Sequence, residues 1–176
     1  MNFWDEFVYA VGVDPGLTKT GLVVLNEHGL AHSATFTAPA DDDLGKRLSS
    51  ITRSLIFKAW ALCLPAGNRT LFSIEANYVA SGRSAQSALK QRELIGCLRM
   101  AAEDNHFGHP LFYEVAPASG KKALAGSGKA DKDQMVEAML AYPGSPLGRT
   151  KASREAVADA LGAALAGIAQ WEKDNQ

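Results

Sequence analysis

Three carboxylates in this sequence stand where they could act together on one substrate. Asp14 and Glu75 each follow a short, mostly apolar run, and Asp159 lies among small apolar residues. A buried acid is costly unless a cation or a hydrogen-bond donor compensates it. Carboxylate oxygens suit Mg²⁺ or Mn²⁺, and two such ions about 4 Å apart can promote phosphodiester hydrolysis. The three acids therefore predict a divalent-metal site.

Each of these acids, taken alone, also has a structural interpretation. Asp14 stands before Pro15-Gly16 and could simply form a turn. Glu75 could be an ordinary charge at the end of a strand, and Asp159 a half-exposed helix residue. The chemical interpretation depends on one fold bringing all three together.

The elements that would position these acids follow from hydrophobic patterning and turn residues. Apolar, β-rich runs bounded by turns predict five strands, at 8–14, 21–25, 30–37, 70–75 and 111–115. Three- and four-residue apolar spacing and capping residues predict five helices, at 44–64, 84–103, 117–125, 131–141 and 153–171. Three consecutive strands, followed by strands alternating with helices, indicate an α/β fold with a mixed five-stranded sheet flanked by helices.

Composition restricts the class of protein. A chain of 176 residues that is 47% hydrophobic and 21% charged is typical of one globular domain, here expected to span 1–176. No apolar run reaches membrane-spanning length, so we expect no membrane association. The acidic start of the chain is unlike a secretory signal, which predicts a cytoplasmic protein. Cys63 and Cys97 lack metal-ligand spacing and are expected to be buried, unpaired thiols.

Charge is unevenly distributed. The net charge of −1 carries no global signature of nucleic-acid binding. Between Arg83 and Lys132, however, eight basic residues stand against five acidic ones, whereas Asp41–Asp43 forms an acidic run. This distribution permits one basic face on an otherwise neutral protein.

Five motifs, in order, resemble those of RuvC-type Holliday-junction resolvases, which are nucleases of the RNase H-like superfamily. The first is GVDPGLTKTG at 12–21, and the second is Ile74-Glu75 followed by Tyr78. The other three are AQSALK at 85–90 leading to Gly96, the stretch from Ala116 to GSGKADK at 126–132, and ADAL at 158–161. The resemblance covers roughly residues 8–168 and implies an RNase H-like fold.

The resemblance also implies roles for individual residues. Asp14, Glu75 and Asp159 would be metal ligands, for Mg²⁺ or Mn²⁺, with two ions in each active site and no small-molecule cofactor. Lys121 and Lys132 would contact phosphate or stabilise developing charge. The remaining positions are expected to bind DNA: Tyr78 by stacking on a base, and Arg83, Lys90, Lys122 and Lys129 through phosphates.

The chain departs from the family pattern at one position. The family carries an acid or a histidine three residues before the final aspartate, and this sequence has Ala156 there. Glu155 lies one turn before Asp159 on the same helix face and has a longer side chain. It is our candidate for the fourth metal ligand, the alternative being an ordinary charge near the helix start.

The function expected from these features is metal-dependent nicking of four-way DNA junctions and other branched DNA. Paired cuts in two strands imply a homodimer, and the helix at 84–103 carries enough apolar surface to form its interface or to belong to the core. Two alternatives stay open: an RNase H-like nuclease acting on structured RNA, and a non-catalytic module that binds branched nucleic acid.

Overall fold

The computed structural model describes residues 2–40, 42–63, 70–76, 85–104, 110–145 and 150–176. Its centre is a five-stranded mixed sheet with the strand order β3-β2-β1-β4-β5. The strands are β1 (Tyr9–Asp14), β2 (Lys19–Asn26), β3 (Gly29–Thr37), β4 (Thr70–Glu75) and β5 (Leu111–Val115). β1 pairs antiparallel with β2 and parallel with β4, which confirms the predicted mixed sheet.

Helices cover both faces of this sheet. They are α1 (Phe3–Glu6), α2 (Leu44–Cys63), α3 (Ala85–Asp104), α4 (Pro117–Ala125), α5 (Lys132–Ala141) and α6 (Lys151–Asp174). Buried side chains of α2 and α3 form one core with the sheet, and those of α1, α5 and α6 form a second core on the other face. The strand residues alternate between the two cores, as the period of two in a strand requires.

The long helix α6 lies unusually close to the sheet, because glycines face it. A Cβ built on Gly12 of β1 would stand 2.0 Å from the carbonyl oxygen of Ala160, and one on Gly21 of β2 would stand 2.0 Å from that of Ala156. Backbone therefore packs on backbone where α6 crosses these two strands. The crossing fixes the position of the helix over the end of β1.

The structure confirms the ten predicted elements with boundary shifts of at most three residues. At the start of α2, Asp43 accepts a hydrogen bond from the Lys46 amide at 2.9 Å, as expected of a helix cap. Cys63 is buried, and burial raises the pKa of its thiol to about 12. Cys97 is only half-buried, so the expectation of two buried thiols is wrong for this residue.

One element was not predicted. α1 is a single turn, too short to show a hydrophobic period, and it is held by aromatic packing. The rings of Phe3 and Phe7 each contact Trp171 of α6 edge-on, with 5.5 Å between ring centroids. Across the described ranges, none of the helices has the combination of length and apolar character needed to span a membrane.

Candidate active site

The ends of β1 and β4 bring Asp14 and Glu75 side by side. The two strands are parallel neighbours, with Val13 paired to Ile74, so the acids that follow stand at the same edge of the sheet. Alternation places Asp14 on the face of Gly12, which lies under α6. Glu75 is on that same face, since Leu71, four residues earlier, packs in the α6 core. Both acids therefore project from the α6 side of one sheet edge.

Helix α6 supplies the third acid to this edge. Asp14 pairs with Gly21 across the β1–β2 ladder, and Gly21 lies directly beneath Ala156. One turn further along, Ala160 lies over Gly12, so Asp159 falls between these two contacts at the end of β1. The structure thus places the three acids that the sequence singled out at the same edge of the sheet.

Two predicted lysines also lie at this edge. Lys132 interacts electrostatically with Glu155, Asp159 and Asp14, in decreasing order of effect, and these interactions together raise its pKa. Lys121, on α4, acts electrostatically on Asp159. The acids therefore face two ammonium groups, which is the arrangement needed to receive a phosphate beside a carboxylate cluster.

The electrostatic environment of the Asp159 carboxyl group disfavours its ionised form. Burial raises its pKa above the ordinary value, the charges of Lys132 and Lys121 oppose the rise, and the negative charge of Glu155 adds to it. The ionised form is therefore disfavoured on balance in the folded protein. An additional cation at this position would relieve that cost.

Asp159→Asn is expected to stabilise the metal-free protein at neutral pH. A carboxyl whose folded-state pKa is raised contributes stability below its unfolded-state pKa, and this contribution is lost as pH rises through the folded-state pKa. Asparagine carries no such charge, so the melting temperature should rise by roughly 2–4 °C, the shift that about 1 kcal/mol produces in a chain of this size.

Thermal unfolding of both proteins across the acidic and neutral range, in the presence of a chelator, measures this effect. The gain should disappear at pH values below the ordinary carboxyl range, where both side chains are neutral. The exposed Asp5→Asn is the matched control and should show no gain. A difference that does not depend on pH would contradict the assignment.

The turn that follows Asp14 is held by residues that the sequence analysis missed. The guanidinium of Arg47 donates to the carbonyl of Leu17 at 2.8 Å, and the buried amide of Gln91 donates to the carbonyl of Pro15 at 3.0 Å. Both contacts join positions far apart in the chain, so no local pattern indicates them. They tie α2 and α3 to the turn and so fix the end of β1.

The donor types at this sheet edge suit a divalent cation, but the acids of the described residues do not form a ready-made metal site. No three His, Cys, Asp or Glu side chains are grouped tightly enough to hold a metal ion by themselves within the described ranges. Asp14, Glu75 and Asp159 nevertheless offer hard oxygen donors from one sheet edge, and burial of Asp159 leaves its negative charge undercompensated. An ion completed by water and substrate oxygens suits such an open set.

The other predicted site residues show no electrostatic effect on Asp159 or lie outside the described part of the chain. Lys90 is half-buried on α3, whereas Lys122 and Lys129 are exposed on α4 and on the loop after it. None of these three is among the charges that shift the pKa of Asp159. Tyr78 and Arg83 lie outside the described residues.

The five-stranded mixed sheet with its flanking helices is an RNase H-like fold. The solved structure of RuvC from Thermus thermophilus superposes with a TM-score of 0.70 at 22% identity, covering 95% of this chain and 96% of that one. The T. thermophilus RuvC solved in complex with a Holliday junction substrate gives a TM-score of 0.67 at 21% identity, covering 90% and 91%.

Sequence comparison identifies the family. The family model described as crossover junction endodeoxyribonuclease RuvC matches residues 10–169. A crossover junction endodeoxyribonuclease RuvC from Parvibaculum lavamentivorans is 35% identical over 162 residues, which cover 88% of this chain and 83% of that protein. The chain belongs to the RuvC family of crossover junction endodeoxyribonucleases. Nucleases of this family depend on divalent metal.

Proposed function

We propose that this protein nicks four-way DNA junctions, and other branched DNA, by hydrolysing phosphodiester bonds in paired strands. The observation that carries the proposal is the convergence of Asp14, Glu75 and Asp159 at one sheet edge, beside Lys132 and Lys121. Acids alone would repel a DNA backbone, whereas acids together with ammonium groups and a cation can accept one. The site is therefore suited to cutting a nucleic acid.

The roles of these residues follow from their charges. Asp14, Glu75 and Asp159 are the proposed metal ligands, and Glu155 is the fourth acid at the site. Two Mg²⁺ ions per active site, replaceable by Mn²⁺, complete the proposal. The chemistry that bound divalent cations supply is activation of water and stabilisation of the leaving oxygen.

The lysines act directly on the DNA strand. The Lys132 side chain is 72% exposed, and its ammonium is charged at neutral pH, since Glu155 raises its pKa further above the ordinary lysine value. It can hold a non-bridging phosphate oxygen and offset the charge that develops there during cleavage. Lys121, on α4, acts electrostatically on Asp159 and can take a neighbouring oxygen.

More distant residues would hold the junction. We propose that Tyr78 stacks on a base near the junction centre, and that Arg83, Lys90, Lys122 and Lys129 contact phosphates. Aromatic stacking stabilises unpaired bases, and lysine or arginine contacts add salt-dependent affinity. We also propose that the protein acts in the cytoplasm and has no small-molecule cofactor.

A cleavage assay with labelled substrates tests the function. A four-way junction, a flap, a linear duplex and a structured RNA are incubated with Mg²⁺, with Mn²⁺ and with a chelator. Symmetric nicks in the junction, absent with the chelator, are expected. Preferential cleavage of the RNA would favour an RNA-processing nuclease, and binding without cleavage under any metal would favour a non-catalytic module.

Paired cuts require two active sites, and we propose that helix α3 forms a homodimer interface. Its outward stripe combines Leu89 and Met100, which are 65% and 66% exposed, with Gly96. A Cβ on Gly96 would meet nothing within 4 Å, so the backbone is open to close approach there. Large exposed apolar side chains around a small residue are suited to helix–helix packing.

Leu89→Glu is expected to convert the dimer into a monomer at micromolar concentration, because a charge would be buried at the proposed interface. Sedimentation equilibrium measures the change. The matched control is Leu140→Glu, which alters a leucine that is 37% exposed on α5 and should leave the dimer intact. A wild-type protein that sediments as a monomer would contradict the proposed interface.

A further inference from the structure

We propose that Glu155 is a positioning residue that holds the Lys132 ammonium at the reacting phosphate, and that it acts through this lysine rather than as a metal ligand. The inference deepens the proposed function and rests on it. It concerns the residue next to Ala156, which is the position at which this chain departs from the family pattern.

The contact between the two side chains is direct. The Lys132 ammonium donates a hydrogen bond to Oε2 of Glu155 at 2.8 Å. The carboxylate side chain is 20% exposed, whereas the lysine side chain is 72% exposed. The acid therefore holds the ammonium from the protein side and leaves its other hydrogens available to substrate.

Both ends of the contact are fixed by backbone. Lys132 is the first residue of α5, and a capping box sets the start of that helix: Asp131 accepts from the Gln134 amide, and Gln134 accepts from the Asp131 amide, both at 2.9 Å. Glu155 lies in α6, which is seated on the sheet glycines. The ammonium is thus tethered at the base of its side chain and at its tip.

The neighbouring position cannot take over this role. Ala156 is only 6% exposed, and its carbonyl and Cβ lie against Gly21 of β2, where an added Cβ would stand 3.3 Å from the alanine Cβ. A side chain at 156 starts towards the sheet, whereas the one at 155 reaches α5. Glu155 is accordingly the acid of α6 that meets Lys132.

The held ammonium faces the other acids of the site. After Glu155, the charges that most strongly favour protonated Lys132 are those of Asp159 and Asp14. An unheld lysine would lose this alignment, because its side chain has four rotatable bonds and is largely exposed. The contact between Glu155 and Lys132 therefore contributes a preorganised positive charge at the reacting phosphate rather than folding stability.

The test compares Glu155→Gln with a matched control, Lys151→Ala. The control breaks a second ion pair between the same two helices, in which the Lys151 ammonium lies 3.1 Å from Oδ1 of Asp133 on the exposed surface. We expect Glu155→Gln to lower the kcat for junction cleavage by about 10- to 100-fold, with KM little changed. Lys151→Ala should stay within about twofold of wild type.

Two further measurements separate positioning from metal ligation. Combining Glu155→Gln with Lys132→Gln should slow cleavage no more than Lys132→Gln alone, because both changes remove the same interaction. Calorimetric titration of the DNA-free protein with Mn²⁺ should give Glu155→Gln an affinity within about twofold of wild type. In the same titration, the Mn²⁺ affinity of Asp159→Asn should be at least about tenfold lower than that of wild type.

The outcomes are distinguishable. A tenfold loss of Mn²⁺ affinity in Glu155→Gln, or an additional loss of activity on the Lys132→Gln background, would overturn the positioning role and leave the proposed nuclease standing. Unchanged Mn²⁺ affinity in both Asp14→Asn and Asp159→Asn would overturn the proposed metal site and this inference with it.

Discussion

Asp14→Asn is expected to abolish junction cleavage while leaving junction binding close to that of wild type. Asparagine preserves the shape of the side chain and removes the negative charge that a divalent cation needs. The rate of single-turnover cleavage should fall by at least about 10³-fold, comparable with removal of a principal group that stabilises the transition state. Affinity for the junction should hold or rise slightly, because one acid fewer then faces the phosphates.

Cleavage of a labelled four-way junction and anisotropy of the same junction in the absence of metal measure the two quantities. Asp5→Asn, which neutralises an exposed acid of α1, is the matched control and should cut normally. Cleavage by Asp14→Asn at the wild-type rate would remove this residue from the active site. Loss of binding together with cleavage would instead assign Asp14 a structural role in the turn at Pro15-Gly16.

The strand-end acids were predictable because local chemistry determines where a strand stops. A proline after Asp14 disfavours helical geometry at that residue and turns the chain, so the extended run had to end there. β4 likewise ends at Glu75, the last residue of its apolar run. The parallel pairing of β1 with β4, which sets these two acids side by side, is a finding of the structure, because the order of elements predicted only a mixed sheet.

Contacts between distant residues were not predictable from the same patterns. The bond from Lys132 to Glu155 joins residues 23 apart, and the bond from Gln91 to Pro15 joins residues 76 apart. Periodicity identifies the helix that carries each residue, but it does not specify which side chain of a neighbouring helix it meets. The role of Glu155 therefore became visible only when α5 and α6 were placed together.

The small residues at the contact between α6 and the sheet were partly predictable from the sequence. The alanines and glycines of α6 indicate a buried helix, and Gly12 and Gly21 stand within predicted strands. An isolated glycine in a strand indicates either a bulge or close approach of another backbone. In the structure, the backbone of α6 closely approaches both glycines, which lie beneath carbonyl groups of this helix. This contact sets the distance between Asp159 and the sheet edge.

Gly12→Ala is consequently expected to damage stability and activity together. The added Cβ would stand 2.0 Å from the Ala160 carbonyl oxygen and 2.8 Å from both the amide nitrogen and the Cβ of Ala164. These are largely backbone atoms of a long helix, so relief requires α6 to move away from β1. Overpacking of this kind should lower the free energy of unfolding by about 3 kcal/mol, at the upper end of the range for small-to-large core changes.

Urea denaturation measures this loss, and Gly45→Ala is its matched control. At Gly45, on α2, the nearest atom to an added Cβ is Oδ1 of Asp43 at 3.3 Å, and a shift of a few tenths of an ångström relieves this contact, so stability should change by less than about 1 kcal/mol. Cleavage by folded Gly12→Ala should also slow, because displacement of α6 carries Asp159 away from Asp14. A variant as stable and active as wild type would mean that α6 does not pack on Gly12. Other contacts would then have to position Asp159 at the sheet edge.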